Sequence, residues 1–308
     1  MFSVRNSMKK LFTVGSLLAA IAFTILLTPG DARSWGFWAH RKINHYAVLS
    51  LPGEMRPFFE ANIDTIREHA IDPDRRRFVD KSEGPTHFLD ADRYGAYPFD
   101  ALPKNYEAAV KKFGKDTVDG NGTVPWRIAE FTAKLVQAMK EKNKKEILFY
   151  TANLGHYIAD AHVPLHATEN YDGQLSNQKG LHSRWESKIP ELYGEKYQFG
   201  AEPIELIDDP LEEAFSIVLE SYKLVDSVLA LDLKAKEGIP DAELFKTRKR
   251  GDRVEYEYSE QYYRRYNAML NGMVVRRLHQ SIGRVASYWN YAWVKAGKPD
   301  LSGLISQH

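Results

Sequence analysis

Four of the chain's ten histidines, His156, His162, His166 and His182, fall within 27 of its 308 residues. Two of them have an acid four positions on: Asp160 follows His156, and Glu186 follows His182. Residues four apart share one face of a helix, so each pair can close on a single cation. With 41 acidic residues in the chain, about one such pair is expected by chance, and there are two. Spacing alone therefore decides little. The surroundings add more. Pro164 should stop any helix that carries Asp160, and His166 then comes from the loop just beyond it. One helix end thus offers imidazole and carboxylate groups together, both suitable ligands for zinc.

The sequence contains no cysteine. That excludes disulfides, thiolate metal sites and a cysteine nucleophile, so a transition-metal site must be built from His, Asp, Glu and backbone groups. With 44% apolar and 27% charged residues, a sizeable core is possible and global disorder is excluded. The net charge of +1 argues against a strongly basic polyanion binder. Arg5, Lys9 and Lys10 precede an apolar run from Leu11 to Leu27, broken by Pro29 and Gly30 before Ala32-Arg33-Ser34. This is the pattern of a secretory signal, with an uncleaved anchor as the competing reading. Cleavage after Ser34 would leave Trp35 as the mature N-terminus and a near-neutral protein, secreted or periplasmic.

The elements that must position these groups read as helices. Apolar residues recur at three- and four-residue steps over 43–50, 54–69, 127–141, 145–160, 211–231 and 259–293. Strand patterns are scarce, and no repeat or Gly/Ser linker divides the chain. Loops are expected at 72–84, 94–105, 120–125 and 168–180, and a solvated basic connection at 234–252. Tyr262, Tyr263, Tyr266, Tyr288, Trp289, Tyr291 and Trp293 are expected to be packing residues. The expected fold class is an all-α, single-domain multi-helix bundle over 35–308, behind a signal peptide at 1–34.

The run Gly155-His156-Tyr157-Ile158-Ala159-Asp160-Ala161-His162-Val163-Pro164-Leu165-His166 resembles the signature of zinc-dependent phospholipase C and the single-strand-specific zinc nucleases. These form one all-helical superfamily. Leu181-His182-Ser183-Arg184-Trp185-Glu186 resembles the second half of that signature, and Thr86-His87-Phe88-Leu89-Asp90 an earlier metal-histidine segment. Trp35-Gly36-Phe37-Trp38-Ala39-His40 resembles the family's mature start, and beyond Glu186 only the helical character is shared. The resemblance implies three Zn2+ ions. The first is held by Asp72, His87, His156 and Asp160, and the second by His166, His182 and Glu186. The third is held by Asp160 as a bridge, by His40, and by the amino group and carbonyl oxygen of Trp35. Either Asp72 or Asp74, which flank Pro73, lies at a plausible distance before His87; Asp72 is preferred, with the further task of orienting or deprotonating water. The implied activity is phosphodiester hydrolysis by metal-activated water.

Other histidines have plainer roles. His45 is expected to pack on its helix, His69 to sit near a helix end, and His162 to make a supporting hydrogen bond. His279 and His308 have no acid at useful spacing. Phe88 and Asp90 are open between substrate contact and packing or a loop hydrogen bond. The substrate is also open. Glu186 as last ligand and the short loop between His166 and His182 lean towards phospholipid head groups. The five-residue step from Trp35 to His40, and Trp185, lean towards single-stranded nucleic acid. The phospholipase C-like reading is preferred, with a nuclease and an inactive zinc-binding protein as alternatives. No obligate protein partner is evident, and a monomer is expected.

Overall fold

The computed structural model describes residues 36–250 and 253–305, so the expected leader, Trp35 and His308 lie outside the described residues. Helix α1 (Phe37–Ser50) opens at Gly36. Helix α2 (Val124–Lys140) has Pro125 in its first turn, where a missing N–H costs nothing. Asn143 caps α3 (Lys144–Ala161) by accepting from the Glu146 N–H at 3.3 Å. Helix α3 stops just before Pro164, as the sequence predicts. Asp209 caps α4 (Pro210–Tyr222), and α5 (Val225–Lys236) follows after a short break. Ser259 caps α6 (Glu260–Leu270), and α7 (Met273–Lys295) is the longest helix described.

Helix α3 is the centre of the bundle. Every residue from Thr151 to Ala161 is buried, and α1, α2, α4 and α7 pack around it. A helix covered on all sides can carry polar groups only where these find partners. Gly155 explains how α1 comes so close. A Cβ there would collide with the Asn44 side chain, which donates to the carbonyls of Ile66 (3.3 Å) and Ala152 (3.1 Å). A mid-helix glycine costs about 1 kcal/mol relative to alanine. Here it lets α1 and α3 dock one turn from His40 and right beside His156.

The all-α class holds, with one local correction. The basic connection expected at 234–252 contains strand β1 (Phe245–Arg250), paired antiparallel with β2 (Arg253–Tyr258). Two long predicted helices are also divided. The 211–231 stretch breaks between Tyr222 and Val225, and the 259–293 stretch breaks where Asn271 (φ 46°) and Gly272 (φ 74°) both turn left-handed. The 54–69 stretch likewise splits at Asn62 into Arg56–Ala61 and Ile63–Glu68. The late aromatics pack as expected: Tyr262, Tyr263, Tyr266, Tyr288, Trp289 and Trp293 are buried, and Tyr291 is partly so.

Candidate metal centre

Helix α3 carries His156 and Asp160 one turn apart, both fully buried. The segment Gly84–His87 lays His87 against them, and α1 brings His40. Asp160 Oδ2 lies 2.8 Å from His87 Nδ1 and 3.1 Å from His156 Nε2, while Oδ1 lies 3.4 Å from His40 Nε2. The His40 and His156 rings stack at 3.9 Å. One carboxylate therefore faces three imidazoles. His166 and His182 meet Glu186 beyond the end of α3, with Glu186 Oε2 at 3.5 Å and 3.1 Å from their Nε2 atoms. Among the described residues, three groups have ligand atoms close enough to share a metal ion: His40–Asp74–His156, His87–His156–Asp160 and His166–His182–Glu186.

One expected ligand is misplaced and its neighbour takes the position. Asp72 is part-exposed and pairs with His69 (2.6 Å) and Arg75 (3.3 Å), outside these groups. Asp74 is buried with Oδ1 4.0 Å from His156 Nε2. The short helix Asp72–Arg76 explains the exchange, because residues two apart on a helix face nearly opposite ways. Only one of the two carboxylates can point inward. Of the other expected residues, the structure brings together His40, His87, His156, Asp160, His166, His182 and Glu186.

The hydrogen bonds show which ring nitrogen faces inward. His156 Nδ1 donates to the Ala70 carbonyl (2.8 Å), His166 Nδ1 to that of His87 (2.6 Å), and His182 Nδ1 to that of Tyr171 (3.0 Å). A carbonyl cannot donate, so each Nδ1 carries a proton and each Nε2 faces inward, towards Asp160 or Glu186. The Nε2 atoms of His166 and His182 lie 3.1 Å apart. Glu186 is buried beside them, and neither of its oxygens receives a hydrogen bond. Neither do the oxygens of Asp74, although Arg77 makes an ion pair at 3.2 Å. Converging acceptors of this kind need a cation, and imidazole with carboxylate is a zinc donor set. The residues fit the metal.

Burial lowers His166, but Asp160 and Glu186 outweigh it and raise the ring to about 9, and Asp160 and Asp74 likewise raise His156 against its burial. Burial pushes the Asp160 carboxyl up, but His156, His166 and His40 outweigh it and hold the group well below the carboxylate range. Glu186 is likewise pulled down by His182 and His166 against its burial. Burial lowers His40, reinforced by His156.

The sequence model described as S1/P1 Nuclease matches residues 40–292. The chain belongs to the S1/P1 nuclease family. Among solved structures, Alpha Toxin from Clostridium absonum superposes with a TM-score of 0.48 at 10% identity, covering 85% of this chain and 64% of the toxin. The alpha-toxin of Clostridium perfringens, from an avian strain, superposes at 0.45 with 14% identity, covering 88% of this chain and 66% of the toxin. The chain thus spans about two thirds of either toxin. No curated protein matches the sequence.

In this S1/P1 nuclease family member the remaining described histidines lie outside the three groups. His45 is half-buried on α1, and His162 Nδ1 donates to the Ile158 carbonyl at 2.7 Å. His279 finds an acid after all, Glu202 at 2.5 Å, contributed by a distant segment. Asp90 is part-buried, one of its oxygens receives no hydrogen bond, and burial pushes its pKa up to about 7. Spacing missed Glu83. It lies four residues before His87 rather than after, 3.6 Å from His87 Nε2, and is held by Tyr157 (2.5 Å) and Arg76 (3.3 Å).

Proposed function

We propose that this chain is a zinc-dependent phosphodiester hydrolase acting on single-stranded nucleic acid. The family match over 40–292, which encloses all three candidate metal groups, carries the reading. In it, Asp74, His87, His156 and Asp160 hold one zinc, and His166, His182 and Glu186 a second. His40, Asp160 and the amine and carbonyl of Trp35 hold a third. When bound, zinc supplies a water that ionises near pH 7 and neutralises charge growing on the phosphate oxygens. The chain's own groups orient and exclude. The Nδ1 bonds to backbone carbonyls fix the rings, and the buried α3 keeps bulk water from their inner faces. Asp74, rather than Asp72, would accept a proton beside His156, a reading supported by its Oδ1 lying 4.0 Å from His156 Nε2. The half-exposed Tyr171 ring lies 6.3 Å from that of His182 and offers a stacking face for a base. The catalytic unit is a single domain over 35–308, exported to the periplasm or beyond after cleavage near Ser34-Trp35, and monomeric.

Phospholipid head groups are the second reading, favoured by Glu186 as last ligand and by the short loop 167–181. Assays of the processed protein on single-stranded DNA and on phosphatidylcholine vesicles separate the two. Turnover of the vesicles alone would overturn the nuclease reading. In either case the protein should contain about three zinc ions, and chelation should abolish turnover and lower Tm, because metal binding adds to folding free energy. Elemental analysis showing one zinc or none in active protein contradicts the cluster.

The choice of Asp74 has its own test. Asp74→Asn should reduce zinc affinity and kcat/KM by about 100-fold or more. Asp72→Asn removes only surface pairs and should stay within about twofold. The reverse order in metal titrations would restore Asp72.

A further inference from the structure

Between His182 and Glu186 lies Arg184, whose guanidinium is buried and makes four hydrogen bonds. Its Nε donates to the Tyr262 hydroxyl (3.0 Å), Nη1 to the Lys179 carbonyl (2.8 Å), and Nη2 to the Gln178 carbonyl (2.9 Å) and Asp232 Oδ1 (3.2 Å). Asp232, on α5, has no exposed surface and accepts from three further donors. These are Gln178 Nε2 (2.8 Å), Lys236 Nζ (2.5 Å) and the Tyr262 hydroxyl. A carboxylate has about four lone-pair sites, so the hub is saturated. The Arg184 guanidinium also lies over the Tyr258 ring at 4.6 Å.

The position of this hub matters more than its size. Residues Arg184–Lys188 form a π-helical turn, an element that often marks functional sites. The short helix Leu181–Ser183 runs straight into it, so His182 and Glu186 sit on a local geometry that ordinary helix hydrogen bonds do not fix. The outside anchors all come from the last third of the chain: α5, α6 and β2. That third carries none of the candidate ligands.

We propose that Arg184, clamped by Asp232 and Tyr262, is a positioning residue that sets His182 and Glu186 around one cation. The proposal rests on reading His166, His182 and Glu186 as a metal group. Arg184 touches neither substrate nor metal. It fixes the turn from the side opposite the two ligands, so the cost of bringing them together is met before the metal arrives. A lysine could keep a charge near Asp232 but could not fork to two carbonyls and a hydroxyl.

The test measures zinc affinity, by competition with a chelator, in wild type, Arg184→Lys, Tyr262→Phe and Glu186→Gln, each checked for native circular dichroism. Glu186→Gln should lose one zinc. Arg184→Lys should weaken that same zinc by about 10- to 100-fold and leave the others unchanged. Tyr262→Phe, which deletes one hydroxyl and should fold even if the lysine variant does not, should move in the same direction by less. A purely structural role would lower Tm and leave every zinc affinity at the wild-type value. Wild-type affinities in the folded variants, beside a Glu186→Gln that has lost its zinc, overturn the positioning role alone. Full zinc in Glu186→Gln overturns the metal group and the proposal with it.

Discussion

Asp160→Asn should lose more zinc than any other single substitution in the centre. Asp160 lies within 3.4 Å of His40, His87 and His156, with Oδ2 facing His87 and His156 and Oδ1 facing His40, so under the proposed reading its two oxygens would be shared between two zinc positions. An amide keeps the shape and one acceptor but forfeits the negative charge that faces His40, His87 and His156. Breaking one buried charge set is also costly in itself, about 3–5 kcal/mol when a partner is left uncompensated. We therefore expect about one zinc to remain in Asp160→Asn and about two in Glu186→Gln, from a starting content near three. Turnover should fall by at least about 100-fold in the first. The check is elemental analysis of folded, dialysed protein beside the activity assay. Equal zinc in the two variants would remove the bridging role from Asp160.

Much of this centre is legible from the chain because its ligands are local. His156 and Asp160 share a helix face, Pro164 ends that helix, and His166 follows within a turn. What was not legible depends on contacts distant in sequence. Asp72 and Asp74 are equivalent by spacing. The choice between them is set by the phase of a five-residue helix whose neighbour, Ala70, is pinned by His156 from α3. His279 finds Glu202 through tertiary packing, and Glu83 precedes its histidine. The fold shows the same division. The buried α3 is strongly patterned, whereas the break at Asn271-Gly272 hides beneath an apolar rhythm that continues from Leu270 to Met273. The Asn-Gly pair was its signal. The hairpin was masked by basic side chains, although Phe245, Thr247, Val254, Tyr256 and Tyr258 alternate as a strand pair should.

Retaining even two residues before Trp35 should cost one zinc and most of the activity. The observed chain supports the location: Gly36 is buried, a Cβ on it would meet Ser187 Oγ at 3.2 Å, and Ser187 follows the candidate ligand Glu186. His40, one turn into α1, reaches Asp160. An α-amino group titrates at about 7.7–8.0, so near neutral pH a nearby divalent cation readily draws it into the uncharged, coordinating form. An extension turns the amine into an amide, whose nitrogen lone pair is delocalised and does not coordinate. Export would then arm the enzyme, because the ligand exists only after the signal is removed. The opposing possibility is that Trp35, with Phe37 and Trp38, simply anchors the start of α1. Protein carrying an uncleaved Met-Gly extension, its terminus verified by mass, distinguishes the two. We expect about two zinc ions instead of three and turnover reduced by about 100-fold or more. Full zinc and full turnover in the extended protein would sink the amine ligand, while the groups built on His156 and His182 would stand.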